Sequence, residues 1–317
     1  MKMEPIDALF PWVDGSDPVL SARRAQYAAG DALHNDEVGG TTRYASLGEV
    51  KYCVASLLRF APFLRKVFIV TDGQDPGLRP MLEKYFPDRA DDVVIVDHKV
   101  IFKGWEQFLP TFNSNSIDVL IWNIPELSER FVYLNDDMML IRPVTPEDFF
   151  RPEGVVCYGT RFPAFFGRVL RSLRPSHIGF KAAMLRALEL EGGGRYFINL
   201  GHAPCPMLKS WFEDWAGRRP DMVELNLRDK FRSLEQFEGQ EPFYLDMDRR
   251  GRLVLIPDKK AAFYFKRHGG RDYVAKKLRS FDKDHTRKYV CFNSLNLCTP
   301  EEAGQVLRWL GGRIGIE

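Results

Sequence analysis

Four short apolar segments of this 317-residue chain each end at acidic residues, and this recurrence constrains the fold more than any other feature. The acids are Asp14, Asp72, Asp97 and the adjacent pair Asp136 and Asp137. Between these segments, apolar residues recur at helical spacing, whereas the segments themselves are continuously apolar. Continuous apolar runs are typical of parallel strands covered on both faces. The pattern predicts an α/β fold with a Rossmann-like, mostly parallel sheet and helices on both faces.

The chain is long enough for one large domain, and we expect a single domain over residues 1–317. Within it, residues 1–150 read as the α/β core, residues 151–250 as a mainly helical insertion, and residues 251–317 as a return to the core. A composition that is 45% hydrophobic and 28% charged fits an ordered globular protein. The net charge of +2 provides no global field for nucleic acid, so no nucleic-acid partner is expected.

Five cysteines without CxxC spacing indicate free thiols in a reducing compartment. The first residues lack the apolar run of a signal peptide, and no apolar run reaches the length that crosses a bilayer. We therefore expect a cytoplasmic location, with any membrane contact at the inner membrane being peripheral. Residues 161–186 mix arginine with phenylalanine, which fits either a surface for an anionic acceptor or membrane, or the more common charged helix face.

The apolar run from Phe131 to Leu134 ends in Asn135, Asp136 and Asp137. Adjacent carboxylates repel, so a cation between them or a raised pKa is expected. Two hard oxygen ligands close to nucleotide phosphates are the usual way in which Mg²⁺ or Mn²⁺ is held. The alternative is a strand followed by a solvated acidic turn. Because ligands of parallel sheets bind beyond the carboxyl ends of the strands, the other strand-end acids are candidates as well, with Asp-Gly turn chemistry as their alternative.

Further motifs accompany these acids in a fixed order along the chain. They are Trp12-Val13-Asp14-Gly15-Ser16-Asp17, a long block from Arg43-Tyr44 through Asp72-Gly73 and Asn113-Ser114-Asn115 to Asp137, then His202-Ala203-Pro204 with Phe231-Arg232, and finally Val290 to Asn293. Together they resemble the Stealth family of sugar-1-phosphate transferases. That family includes bacterial capsule-polysaccharide phosphotransferases and the enzyme that tags lysosomal glycoproteins with N-acetylglucosamine phosphate. The resemblance covers essentially the whole chain.

This resemblance implies a nucleotide-sugar transferase fold and a UDP-sugar donor. The implied reaction transfers sugar-1-phosphate, such as N-acetylglucosamine-1-phosphate, to a hydroxyl of a glycan or other acceptor. A phosphodiester forms, and UMP is released. The implied cofactor is Mg²⁺ or Mn²⁺ on Asp136, Asp137 and Asn293. Family members often have Asp after that asparagine, where this chain has Ser294, so Asn293 is left as the third ligand.

The motifs also imply individual roles. His202 is the candidate general base, since a pKa near 6.5 suits proton abstraction, and Arg232 is the candidate phosphate clamp. The candidate nucleotide-sugar contacts are Trp12, Asp14, Gly15, Asp17, Arg43, Asp72, Asn113 and Asn115. The alternatives are a structural histidine, an ion pair of Arg232 with Asp229 or Glu235, and helix capping by Asn113.

Two other functions fit the same residues. A metal-dependent glycosyltransferase would use a similar sheet and acid pair, but it would attack the sugar carbon and release UDP. A non-catalytic nucleotide-sugar or glycan-binding module would bind without turnover. The presence of both His202 and Arg232 argues against the module, because simple binding needs no general base.

Overall fold

The computed structural model describes residues 4–28, 47–174, 179–266, 272–293 and 295–316. Its strands are β1 (Ile6–Pro11), β2 (Leu64–Thr71), β3 (Val93–Asp97), β4 (Arg130–Tyr133), β5 (Met138–Leu140), β6 (Phe150–Arg151), β7 (Gly154–Pro163), β8 (Tyr196–Leu200), β9 (Cys205–Leu208), β10 (Leu253–Ile256), β11 (Ala262–Lys266) and β12 (Tyr289–Asn293). Its α-helices are α1 (Pro18–Ala28), α2 (Glu49–Phe60), α3 (Arg79–Tyr85), α4 (His98–Ile101), α5 (Ser114–Asp118), α6 (Ala164–Leu173), α7 (Phe180–Leu190), α8 (Lys209–Arg218), α9 (Pro220–Leu227), α10 (Glu241–Arg249), α11 (Asp258–Ala261), α12 (Tyr273–Lys283) and α13 (Pro300–Ile314).

The core is a five-stranded sheet in the order β3-β2-β1-β4-β9. The first four strands are parallel, and β9 is antiparallel to β4. Strands β1, β2 and β4 are buried over most of their length, which explains why their sequences are continuously apolar. The prediction of a mostly parallel sheet is confirmed. All four parallel strands deliver their terminal acids to one edge of this sheet.

In helix α2, the apolar residues at helical spacing form the buried side of the helix. Val50, Val54 and Leu57 lie on one side of it and are buried against β2, β5 and α13. The helix ends at Phe60, before the Ala61-Pro62 step that stops it. Because its first residue is Glu49, the packing of α2 also places a carboxylate near the sheet edge where the acids collect.

The described part of residues 151–250 holds five helices, but it also holds most of β6 to β9. The expectation of a mainly helical insertion therefore missed its strands. Strand β7 is shared: its first half pairs with β6 and β10, and its second half pairs with β8. Strand β9 returns to the core sheet. These strands are short or interrupted by glycine and proline, which removes the simple periodicity that marks a strand. The division into three segments stays a prediction.

The last part of the chain packs against the turn that carries Asp136 and Asp137, which we call the acid turn. Strand β12 pairs antiparallel with β5, directly after Asp137, and β11 runs parallel on the other side of β12. This small sheet brings residues more than a hundred positions apart to one place. Among the described residues, no helix combines the length and the apolar character needed to span a bilayer.

Candidate active site

The turn Asn135 to Asp137 connects β4 to β5. The amide of Met138 donates to the carbonyl of Asn135 at 3.0 Å, and the amide of Phe292 in β12 donates to the carbonyl of Asp137 at 2.9 Å. Burial and the neighbouring charge of Asp137 raise the pKa of Asp136 to about 8. Burial raises the pKa of Asp137 to about 6. The turn thus holds two acids whose charges the surrounding protein does not balance.

The donor atoms around this turn fit a hard divalent cation. Atom Oδ1 of Asp137 is buried and has no hydrogen-bond partner within the described part of the chain. The thiol of Cys291 donates to the other oxygen, Oδ2, at 3.4 Å. The side chain of Asn293 also donates to the Asp137 carboxylate. The described residues contain no cluster of three His, Cys, Asp or Glu side chains arranged for a metal. Mg²⁺ needs no such cluster, because it usually takes one or two carboxylates together with substrate phosphates and water.

Glu49 is a third acid near this turn, and the sequence did not predict its position there. Glu49 is buried, and its carboxylate accepts a hydrogen bond from the amide of Leu47 at 2.5 Å. Its charge adds to the upward pKa shifts of Asp136 and Asp137. An acid in the first turn of a helix ordinarily reads as a partner of the helix dipole, so the sequence carried no functional signal for it.

Asp14 and Asp17, the acids that follow β1, form hydrogen bonds with nearby residues. Asp17 accepts from the amide of Val19 at 2.8 Å at the start of α1, and the side chain of Gln74 donates to its other oxygen at 2.9 Å. The Gln74 hydrogen bond is the main reason that the pKa of Asp17 lies below its usual value. Asp14 accepts from the hydroxyl of Ser16 at 2.6 Å. These contacts stabilise a turn and the start of a helix. The role of this loop in binding the nucleotide stays a prediction.

Other predicted nucleotide contacts line the same edge. Trp12 is buried, and its indole N–H has no partner among the residues that the structure describes. Gly15 accepts at its carbonyl from the Ser21 hydroxyl. Asp72 forms an ion pair of 2.7 Å with Arg23 of α1, a partner that the sequence did not reveal. Arg43 lies outside the described residues.

Asn113 caps helix α5, and its role as a nucleotide-sugar contact stays a prediction. Its side-chain oxygen accepts from the amide of Asn115 at the start of α5. Its side-chain amide donates to the carbonyls of Asp229 at 3.2 Å and Phe231 at 3.0 Å. One side chain therefore fixes both the start of α5 and the segment before Arg232. Asn115 is different, because its buried Oδ1 has no hydrogen-bond partner in the described ranges.

Arg232 lies at a buried acid pair that the sequence analysis did not identify. Its guanidinium donates from Nε and Nη2 to the hydroxyl of Ser114, with an Nε distance of 3.1 Å. Burial raises the pKa of Asp118 to about 6 and that of Glu238 to about 8, and the charge of Arg232 opposes both shifts. The alternative ion pair with Glu235 is wrong, since Glu235 pairs with Arg186 on the surface.

Tyr133 connects this acid pair to the acid turn. At the end of β4, its hydroxyl donates to Oδ1 of Asp118 at 2.8 Å and lies 2.9 Å from the side-chain oxygen of Asn135. Arg232 and the turn at Asp136 are therefore held by one contiguous hydrogen-bonded and charged network. Buried networks of this kind restrict side-chain orientation.

His202 follows β8 and lies between two aromatic rings. Its imidazole stacks on Tyr264 with ring centroids 4.5 Å apart, and on Phe180 with centroids 6.1 Å apart. Burial lowers the pKa of His202 below its usual value, which favours the neutral, proton-accepting form near pH 7. Tyr264 pairs in register with Cys291 across β11 and β12, and Cys291 contacts Asp137. Contacts thus connect the histidine to the acid turn.

A small pocket of about 20 Å³ lies beside Arg232. Asn115, Phe180, Arg232, Ser233 and Glu238 are among the residues that line it. Phe180 also stacks on the imidazole of His202. The hydroxyl of Ser233 and Oδ1 of Asn115 are buried without partners in the part of the chain described here. A cavity of this size has room for a water molecule that could pair with such atoms, but it has no room for a sugar ring.

Comparison with known proteins now identifies the family. The family description "Stealth protein CR1, conserved region 1" matches residues 4–32, and "Stealth protein CR2, conserved region 2" matches residues 43–158. The capsular polysaccharide phosphotransferase LcbA of Neisseria meningitidis is 30% identical over 269 residues, covering 82% of this chain and 69% of that protein. The chain belongs to the Stealth family. The predicted family is thereby confirmed.

Other relatives of this Stealth protein are longer. An exopolysaccharide phosphotransferase of Streptomyces coelicolor is 36% identical over 231 residues, which is 72% of this chain but 37% of that protein. The chain therefore spans well under half the length of this relative. Among solved structures, the WbbM bifunctional glycosyltransferase matches with a TM-score of 0.50 at 8% identity, covering 96% of this chain and 52% of that one. That likeness concerns the fold alone.

Proposed function

We propose that this Stealth protein transfers sugar-1-phosphate from a UDP-sugar, such as UDP-N-acetylglucosamine, to a hydroxyl of a glycan, with release of UMP. The names of its relatives, capsular and exopolysaccharide phosphotransferases, support sugar-phosphate transfer. One structural observation carries the proposal. The acid turn after β4 is connected to Arg232 through Tyr133 and Asp118, and to His202 through Cys291 and Tyr264.

Asp136, Asp137 and Asn293 would hold Mg²⁺ or Mn²⁺. When bound, the cation would neutralise and polarise the diphosphate of the donor. The protein's own contribution at this turn is to keep two carboxylates close together against their repulsion. The amide of Phe292 and the side chain of Asn293 hold Asp137 in that position.

His202 would take the proton of the acceptor hydroxyl. Its lowered pKa keeps the imidazole neutral at the start of the reaction. The acceptor oxygen then forms a bond to the phosphorus nearer the sugar, the bond from that phosphorus to the UMP oxygen breaks, and the C1–O bond of the sugar is retained. Arg232 would donate to the phosphoryl oxygens as charge accumulates on them.

The nucleotide would lie along the edge formed by Trp12, Asp14, Gly15, Asp17 and Asp72. The sugar phosphate would lie on the side of Arg232, the candidate phosphate clamp. One observation supports the place of the nucleotide. The strand-end loops lie where ligands of parallel sheets bind.

Identifying the released nucleotide tests the proposal. The chain is incubated with UDP-sugars, Mg²⁺ and a capsular polysaccharide acceptor, and the released nucleotide is separated by chromatography. UMP together with a phosphodiester in the glycan is expected. Release of UDP with a glycosidic bond would instead show a glycosyltransferase, and donor binding without any nucleotide release would show a binding module.

A further inference from the structure

Helix α6 turns its large apolar residues toward solvent. The exposed fractions are 67% for Phe165, 56% for Phe166, 39% for Val169, 50% for Leu170 and 73% for Leu173. At about 100° per residue these side chains occupy an arc of roughly 140° on one side of the helix. We call them the α6 apolar face. Scattered exposed apolar residues are ordinary, but five on one helical arc form a patch that marks an interaction site.

The opposite side of α6 shows why this face points outward. The helix packs on the protein through Ala164 and Gly167, which are both buried. A Cβ at Gly167 would lie 2.9 Å from the ring of Phe197 and 3.3 Å from the side chain of Leu185. Only small residues fit on the buried side. The helix thus reverses the arrangement of an ordinary surface helix, which buries its large apolar side chains.

Charge distinguishes the partners that could cover this face. Helix α6 contains no acidic residue. Arg168 and Arg171 lie outside its apolar arc on the helical projection, and the exposed Arg174 directly follows the helix. Arg168 and Arg171 both pair with Glu189 of α7. Residues 161–195 contain seven arginines and lysines against two glutamates, in a chain whose total formal charge is only +2. Asp248 and Glu235, which lie outside this stretch, pair with Arg161 and Arg186 and offset part of this charge, and an excess of positive charge remains around the α6 apolar face.

We propose that the α6 apolar face docks on an anionic lipid surface, with α6 lying in the plane of the interface. Phenylalanine and leucine side chains would enter the boundary of the acyl chains, while the flanking arginines reach the phosphate headgroups. The arc itself contains no polar side chain that a protein partner would have to satisfy. Since α6 packs on α7, whose first residue Phe180 lines the pocket, docking would bring the pocket close to the lipid surface.

Vesicle sedimentation tests this surface with the whole chain. Vesicles of phosphatidylglycerol mixed with phosphatidylcholine are compared with vesicles of phosphatidylcholine alone, at low and high salt. The double variant Phe165→Ser/Leu173→Ser should lower the partition coefficient on the anionic vesicles by about tenfold or more, since interfacial binding scales with buried apolar area. The matched control Leu297→Ser changes a residue that is 53% exposed outside α6, and it should bind like the wild type.

A second variant, Arg174→Gln, should weaken binding to anionic vesicles and leave the weaker binding to neutral vesicles unchanged. All three variants should keep the wild-type melting temperature and the wild-type rate with a soluble acceptor. Absence of wild-type binding to phosphatidylglycerol vesicles, or equal binding by the double variant, would overturn the proposal. A dimer in light scattering that the double variant dissociates would assign the face to a second copy of the chain instead.

Discussion

The imidazole of His202 lies almost parallel to the ring of Tyr264, with the planes inclined by 19° and the centroids 4.5 Å apart. Tyr264 belongs to β11, and its cross-strand partner Cys291 contacts Asp137. The stacking therefore ties a loop after β8 to the acid turn after β4. A neutral imidazole held flat between rings can rotate little, which keeps its nitrogen atoms at fixed positions.

Replacing His202 by alanine should remove transfer while leaving donor binding in place. General bases typically contribute about 10²- to 10⁴-fold, so UMP release should fall by at least two orders of magnitude. Product chromatography measures the rate, and calorimetry with a UDP-sugar measures binding. Tyr264→Phe keeps the stacked ring and is the matched control, with a rate close to that of the wild type. Loss of donor binding or a lower melting temperature in His202→Ala would make the histidine structural.

Metal should bind at the acid turn and stabilise the fold. Added Mg²⁺ or Mn²⁺ should raise the melting temperature of the wild type, because a ligand that binds only the folded state stabilises it. A chelator should stop transfer, and excess metal should restore it. Asp137→Asn removes one of two adjacent carboxylates, so the metal-free variant should be at least as stable as the wild type and should show no metal-dependent shift.

The control for this experiment is Asp282→Asn on the surface helix α12, which should retain both the metal response and transfer. Undiminished transfer in the presence of chelator would refute the metal role of Asp136 and Asp137. An equal metal-induced shift in Asp137→Asn would place the metal elsewhere on the protein.

The sequence predicted the sheet well because its strands are buried on both faces and are therefore continuously apolar. It located Asp136 and Asp137 for the same reason, since a long apolar run ends there. It could not show that Glu49 or Tyr264 lies near them. Glu49 is brought there by the packing of α2 on β5, and Tyr264 by the pairing of β11 with β12 and of β12 with β5 across about 150 residues. The roles of His202 and Arg232 came from family resemblance, and the residues alone left structural alternatives open.

Glu238 should make the protein less stable as pH rises from about 4.5 to about 8. Its pKa in the folded protein is about 8, so over this interval the folded state keeps a proton that the unfolded chain has lost. The free energy of unfolding then falls with increasing pH. Glu238→Gln removes this contribution, and at pH 8 it should be more stable than the wild type by on the order of a few kcal/mol.

Urea denaturation at a series of pH values measures this difference. The control Glu235→Gln lies three residues earlier, where the side chain is 66% exposed, and its profile should parallel that of the wild type. A Glu238→Gln profile that also parallels the wild type would show that Glu238 is charged in the folded protein.

Gly201 should be essential for placing His202. A Cβ at this position would lie 2.2 Å from the Cβ of Asp258 and 2.9 Å from the carbonyl oxygen of Tyr158, so any side chain must push β7, β8 and α11 apart. Gly201→Ala should therefore cost about 1–3 kcal/mol of stability, which is typical of overpacking, and should lower the transfer rate by displacing the adjacent imidazole.

Gly217 provides the matched control, since a Cβ there would meet no atom within 4 Å and the residue lies inside helix α8. Gly217→Ala should raise stability by up to about 1 kcal/mol, because alanine favours the helix over glycine, and should leave transfer unchanged. Thermal denaturation and UMP release are measured for both variants. If Gly201→Ala matched Gly217→Ala in stability and rate, the close approach of β8 to α11 would not be what positions the histidine.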